Sequence, residues 1–401
     1  MHKKLNKFLE PKSIAVIGAS NNPDKIGGII MKKLSSFNGK IFPINKKHKI
    51  IFGKKAYSNI SEIKEEVDLI VIAIPAKFIK DIFKECGKKQ IKNIIVISAG
   101  FKEIGKTKLE DELTEIAQKN KINFIGPNCF GVANPHINLD TTFSNSVSKK
   151  GNIAFISQSG ALWSFLSDYN IGFSGFVSLG NMADLKFSDF IKYFNKDKKT
   201  KKIILYVEKL KDGKEFLETC KKSKKEIMVI KTGKSKEGSK AAISHTGSLA
   251  TDFKIYEGIF KQAGVKQFNS FSKALNQKIT KITPSKKKII ILTNAGGAGA
   301  LITDKYIEKG YKLIKQPIDI LGTANSKNYK KALNNLKKQK SFDFVIVILT
   351  PQSMSEPLET AKEIIEFSKN KKVISYFLGD KSIRKAKQLL EKNNIPCYTK
   401  I

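Results

Sequence analysis

The sequence predicts an α/β protein built as three consecutive domains around mostly parallel sheets. Short β-branched runs alternate with amphipathic stretches of roughly 10 to 15 residues along the whole chain, the pattern of strands joined by crossover helices. Several apolar runs end in glycine- and serine-rich loops that open a helix. The 401 residues are also too many for one ordinary core.

In the first third, strands are expected at 13–18, 41–45, 68–75, 93–99 and 123–126, with helix-like segments at 77–86 and 108–119. They form one doubly wound domain over residues 1–135. A second series starts at 152–157, continues at 175–179, 202–208 and 226–231, and ends in helical stretches after Thr251 and at 271–282, giving a domain over 148–282. Thr283-Pro284-Ser285 and a lysine run mark a boundary. The third domain, 286–401, begins with a strand at 288–293 and a helix at 301–308, and has further strands at 342–350 and 372–378. No repeat of fixed short period is present.

Composition narrows the function classes. Hydrophobic residues make up 41% and no apolar run approaches the length of a membrane span. The basic N-terminus has no apolar segment or cleavage site of a secretory signal, so a cytosolic protein is expected. Cys86, Cys129, Cys220 and Cys397 are scattered, which argues against a metal site or a disulfide framework and for reduced thiols. The net charge of +38 invites a nucleic-acid reading. Against it, the cations are lysines spread through every segment, Arg384 being the single arginine, whereas base and phosphate recognition draws on arginine's bidentate fork. No specific nucleic acid and no membrane partner is expected. The positive field would still attract phosphorylated ligands.

Open parallel sheets bind ligands at the carboxyl ends of their strands, and four strand-to-helix loops are informative. The first, Gly18-Ala19-Ser20-Asn21-Asn22 through Gly27-Gly28, is small enough to bring backbone amides to a phosphate at a helix start. It is not the G-x-G-x-x-G of dinucleotide sites, and the second strand ends in Asn45-Lys46-Lys47 rather than the acid of an NAD site. Lysine there suits a phosphorylated ribose, whether of NADP or of coenzyme A, and a solvated surface pair is the plain alternative. The second loop, Ser157-Gln158-Ser159-Gly160, offers a hydroxyl and amides to an oxyanion; it lacks the G-x-S-x-G of a nucleophilic serine. The third, Ile243-Ser244-His245-Thr246-Gly247-Ser248-Leu249, reads as a loop that sets one of only four histidines among small residues and lysines, where an imidazole can take a phosphoryl group. Glu208, ending its strand, can receive one imidazole N–H and leave the other nitrogen nucleophilic. The fourth, Asn294-Ala295-Gly296-Gly297-Ala298-Gly299, lacks the Gly-Lys-Ser/Thr ending of a P-loop.

The runs Ser13-Ile-Ala-Val-Ile-Gly-Ala-Ser20, Ile72-Ala-Ile-Pro-Ala76, Ile97-Ser-Ala-Gly-Phe101 and Ile125-Gly-Pro-Asn-Cys129 resemble the CoA-binding domain of succinyl-CoA synthetase and the ADP-forming acetyl-CoA synthetases. The S-H-T-G-S-L-A run resembles the phosphohistidine loop of ADP-forming acyl-CoA synthetases. The resemblance covers about residues 8 to 401. It implies a Rossmann-like CoA-binding domain followed by two flavodoxin-like domains, and an alpha-type subunit that joins CoA to a small carboxylic acid, acetate foremost, through acyl phosphate and phosphohistidine. It implies CoA contacts from Gly18, Ser20, Pro43, Asn45, Lys46, Pro75, Ser98, Ala99, Gly100 and Phe101. It implies phosphate held by Ser159, Gly160, Gly296, Gly297 and Gly299 between two facing helix N-termini, with catalysis by His245 oriented by Glu208 and no metal held by this chain. Magnesium-bound ADP or ATP falls to a beta subunit of ATP-grasp type, in a hetero-oligomer. One departure stands out: Lys315 passes directly to Gln316-Pro317-Ile318-Asp319, where the family carries a further helical segment, so the third domain is trimmed. A non-catalytic CoA sensor or scaffold is the rival reading, and a hydride-transferring enzyme a poorer third.

Overall fold

The computed structural model describes residues 5–246, 252–277, 281–339 and 341–401. Its first sheet has five parallel strands in the order Lys40–Ile44, Ser13–Ile17, Leu69–Ile72, Asn93–Val96 and Asn123–Ile125. All five residues of Ser13–Ile17 are buried, because crossover helices such as Ile26–Leu34 and Ile79–Lys88 cover both faces of a parallel sheet. That is why the sequence shows continuous apolar runs there rather than alternation.

The second sheet runs Lys266–Phe268, Glu226–Lys231, Lys202–Val207, Lys149–Ser157, Gly172–Ser178, Val132–Asn134 and Leu139–Asp140. The last two strands are antiparallel additions; at three and two residues they are too short to leave a period in the sequence. Of the expected helix at 271–282, Phe271–Ala274 is helical, and residues 278–280 lie outside the described residues. Its start is fixed by tertiary contacts: the Phe271 ring packs against Phe155 and Phe165, and the Ser272 amide and hydroxyl both donate to the Ile401 carbonyl. Asn276, at φ 50°, then turns the chain out of helical conformation.

In the third sheet Lys288–Thr293 lies beside Phe344–Leu349, followed by Val373–Phe377 and Cys397–Tyr398. On the other edge of Lys288–Thr293 two short strands pair in succession, with Lys288 opposite Lys312 and Leu292 opposite Ile318. The chain between them therefore continues along one edge of the sheet.

Buried polar clamps join the parts. Lys33 Nζ reaches from the first domain to Asp140 at 2.8 Å and Ser144 Oγ at 2.7 Å, and Asp168 accepts from the amides of Asp380 at 2.7 Å and Ser382 at 3.0 Å. Removing one partner of such a pair strands a charge out of water. Among the described residues no helix is long and apolar enough to cross a membrane, and the four cysteines are all buried and unbridged.

Candidate active site

Two helices start against one another at the carboxyl ends of the second and third sheets. The helix Ala161–Leu166 follows Ser159-Gly160, and Gly296–Glu308 follows Asn294-Ala295; neither has a capping side chain or an acidic residue in its first turn. Their first amides therefore remain as orphan donors, with the positive ends of both dipoles on the same side. How close they come is fixed by Gly297: a Cβ added there would lie 2.6 Å from Ser159 Oγ and 2.8 Å from the Tyr206 hydroxyl. Only a residue without a side chain permits that approach. Ser159 is 1% exposed, and its Oγ has no hydrogen-bond partner among the described residues. A buried hydroxyl without a partner is costly. Gly160 is held as tightly, since its Cβ would meet Phe130 Cβ at 2.2 Å. Gly299 donates its amide to the Ala295 carbonyl at 2.9 Å, so its backbone belongs to the helix ladder.

Glu208 closes the strand Lys202–Val207 beside this junction and is 8% exposed. Its position is set by Gln158, whose Oε1 accepts from the amides of Glu208 at 2.7 Å and Lys209 at 2.8 Å. Burial raises the Tyr206 phenol well above its ordinary range, and the Glu208 charge adds to the effect. Lys231 stands on the next strand, paired with Val207. It is buried, with Nζ donating to the Thr232 carbonyl and lying 4.5 Å from the Tyr256 ring centroid. Burial pushes its ammonium down to about 8, against the opposing pull of Glu208 and Asp304.

The segment 236–246 corrects one expectation. It is helical as Lys236–Thr246, so His245 stands in the last turn of a helix where its Ser/Thr/Gly surroundings had suggested a loop. The side chains of 242–246 and residues 247–251 lie outside the described residues. This helix packs along Gly296–Glu308 through Ala241 and Ala300. Asp304 of the glycine helix receives the amides of Gly233, Lys234 and Ser235 at 2.8, 3.2 and 2.8 Å, and the Ser235 hydroxyl at 2.6 Å. The same carboxylate excludes any side chain at Gly238, whose Cβ would lie 2.0 Å from Asp304 Oδ1. The helix Gly296–Glu308 thus grips the entry to the histidine-bearing helix, and that helix also touches the turn Lys102–Ile104.

In the first domain, Gly18 has φ +88° and a Cβ there would meet the Ala73 carbonyl at 2.4 Å, while one at Gly27 would meet the Gly18 carbonyl at 1.9 Å. The loop and the uncapped start of Ile26–Leu34 are thereby pressed together. Ser20 Oγ accepts from the Asn22 amide at 3.1 Å, and Asn45 donates to the Ala19 carbonyl at 2.8 Å, so Asn45 shapes the loop from the second strand. Pro43 is buried in that strand, whereas Lys46 and Pro75 are exposed at the strand ends. Ser98 donates to the Ile74 carbonyl, and Ala99 is exposed. The Phe101 ring is fully buried, and the Glu103 carboxylate takes the amides of Gly100 and Phe101. Asn181 of the second domain joins this loop by donating to Glu103 and Glu110, each at 2.7 Å.

A family model for a CoA binding domain matches residues 12–135, and one for a succinyl-CoA ligase like flavodoxin domain matches residues 150–277. The acetate–CoA ligase (ADP-forming) II subunit alpha of Pyrococcus furiosus is 41% identical over 98% of this chain and 94% of its own length. The chain belongs to the ADP-forming acetate–CoA ligase family. The acetate–CoA ligase (ADP-forming) of Methanocaldococcus jannaschii is 43% identical over 97% of this chain, which spans 60% of that longer protein. Among solved structures, the dinucleotide forming acetyl-coenzyme A synthetase 1 of Candidatus Korarchaeum cryptofilum, in complex with phosphate and ADP, matches with a TM-score of 0.65 at 34% identity, covering 100% of this chain and 94% of that one. The alignment with the Pyrococcus subunit runs over 431 residues, longer than this ligase chain itself.

Sequence reasoning passed over Asp304, Gln158 and Tyr206. Asp304 reads as an ordinary helical carboxylate, and Gln158 and Tyr206 as loop filler and core. Nothing local marks them, because their partners lie on other elements.

Proposed function

We propose that this chain is the alpha-type subunit of an ADP-forming acyl-CoA ligase, interconverting acyl-CoA, ADP and phosphate with a carboxylic acid, ATP and CoA. One observation carries the reading: two uncapped helix starts meet around the Ser159 hydroxyl, which has no partner among the described residues, beside the buried Glu208. A phosphate oxygen attacks the thioester carbonyl, the C–S bond breaks, and CoA leaves as acyl phosphate forms. An imidazole nitrogen of His245 then attacks phosphorus, the bond to the acyl oxygen breaks, and the free acid departs with its electron pair. Ser159, Gly160, Gly296 and Gly297 hold the dianion throughout, and donors aimed at developing charge in a dry site favour the transition state over the ground state. Glu208 takes one imidazole N–H and keeps the other nitrogen nucleophilic.

The first domain holds CoA, with the Gly18–Ser20 loop toward the diphosphate and Lys46 toward the phosphorylated ribose. Nucleotide and its magnesium belong to a partner of ATP-grasp type, which receives the phosphoryl group from His245; magnesium there neutralises charge on the nucleotide phosphates. Acetate is the acid favoured by the names of the relatives. The rival reading as a non-catalytic CoA sensor draws no support from them. The reaction suits the cytosol, as do four buried, unbridged cysteines.

The test is a phosphoenzyme assay. Incubating the complex with labelled ATP and magnesium should place an acid-labile, base-stable label on this chain, and His245→Asn should abolish it. Label that persists in the variant would refute the assignment.

A further inference from the structure

A cavity of about 360 Å³ opens at the carboxyl end of the helix Gly296–Glu308, lined by Asn269, Ser270, Lys273, Lys281, Lys305 and Lys309. Lysines abound on this chain, and most stand in water, where an unpaired ammonium is fully solvated. Lys305 differs: its Nζ is out of contact with water and has no hydrogen-bond partner among the described residues. Glu308, the one acid among the described lining residues, does not bond to it. Burial and the neighbouring Lys273 charge both lower its affinity for a proton. A buried charge with no counter-charge is tolerated poorly in a fold, and here the arrangement sets it among three further cations facing one cavity.

We infer that this cavity is an anion site for a small phosphorylated ligand, separate from the phosphate held at Ser159 and Gly297. The separation follows from the helix: eight residues from Gly297 to Lys305 at 1.5 Å each put the two about 12 Å apart along the axis. The charge calls for a multivalent anion, since four ammonium groups face a single carboxylate, and lysine binds phosphate as a point charge. Ser270 accepts from the Lys273 amide at 3.2 Å, which leaves its hydroxyl proton to donate, and the Asn269 amide adds further donors. The volume lies at the small end of ligand pockets and accommodates a diphosphate or a compact nucleotide. An occupant would tie the segment after Ser270 to the helix that carries both Asp304 and Gly297.

The experiment titrates the purified chain with inorganic pyrophosphate and, in parallel, with ADP, by calorimetry and thermal melting. Lys305→Met should melt higher than the parent without ligand, because it removes a buried unpaired charge. It should lose one pyrophosphate site and most of the pyrophosphate-dependent rise in Tm. Lys281→Gln, at the rim, should weaken that site about tenfold in the still-folded chain. Lys198→Gln, an exposed lysine carrying the same change of charge, should leave both readings unchanged. ADP binding that depends on Lys305 as strongly as pyrophosphate binding does marks the occupant as a nucleotide; pyrophosphate dependence alone marks a bare phosphate site. The inference is overturned if the folded Lys305→Met variant keeps the parent's number and affinity of pyrophosphate sites, or if Lys198→Gln loses as much as Lys305→Met.

Discussion

Replacing Gly297 with alanine adds one methyl group at the narrowest point of the site, where it would stand 2.6 Å from Ser159 Oγ, 2.8 Å from Ser159 Cβ and 2.8 Å from the Tyr206 hydroxyl. All three neighbours are on buried side chains, so the helix start must retreat by roughly 1 Å to restore ordinary contact. Overpacking of this kind costs about 1–3 kcal/mol, while alanine in place of glycine favours a helix by about 1 kcal/mol. The net loss of stability should thus be no more than about 2 kcal/mol. The functional loss should be larger in proportion. A donor moved by roughly 1 Å leaves hydrogen-bond range, and a bond to a charged acceptor is worth about 1.5–3 kcal/mol, which corresponds to a rate about 10- to 100-fold lower. The assay is the rate of phosphoenzyme formation in the complex, with CoA affinity by calorimetry and folding by circular dichroism as controls. Gly258→Ala serves as a matched comparison: it lies in the helix Phe253–Gln262 with nothing within 4 Å of its added Cβ, and should stabilise by about 0.5–1 kcal/mol. A folded Gly297→Ala variant that forms phosphoenzyme at the normal rate would show that the glycine helix does not border the phosphoryl group.

Two other substitutions probe the support of the site. Asp304→Ala removes an acceptor used by three amides and a hydroxyl, so it should lower stability by about 2–3 kcal/mol and slow phosphoenzyme formation at unchanged CoA affinity; a neutral effect on both would show that the grip on the 233–235 loop is dispensable. Lys231 tests the pH dependence. Its folded value is pushed down to about 8 from 10.5, so the unfolded chain binds the extra proton across that interval and stability from this group rises with pH. Lys231→Met should therefore melt above the parent at neutral pH, and its lead should shrink as pH rises from about 8 to 10.5. A lead that stays constant across that interval would contradict the assignment.

The α/β class and most of the strands that build the three large sheets were legible in the sequence. Runs such as 13–17 and 288–293 are apolar because crossover helices cover both faces of a parallel sheet, and that pattern is written locally. The loops at Gly18, Ser159 and Gly296 were legible for the same reason, since small residues between a strand and a helix have few other uses. Tertiary structure decided the rest. The strand Val132–Asn134 forms because Gly172–Ser178 offers it a partner, and Leu139–Asp140 pairs in turn with Val132–Asn134. The helix at Phe271 stops after four residues because Asn276 turns the chain aside. Ser244, His245 and Thr246 read as part of a loop from Ser, Thr and Gly content, yet belong to the helix that Ala241 packs on Ala300. That Gly297 meets Ser159, and that Asp304 holds Gly233 to Ser235, joins segments far apart in the chain. Propensity and periodicity are sums over near neighbours, whereas a steric limit or a hydrogen bond between distant elements depends on which surfaces the fold brings together.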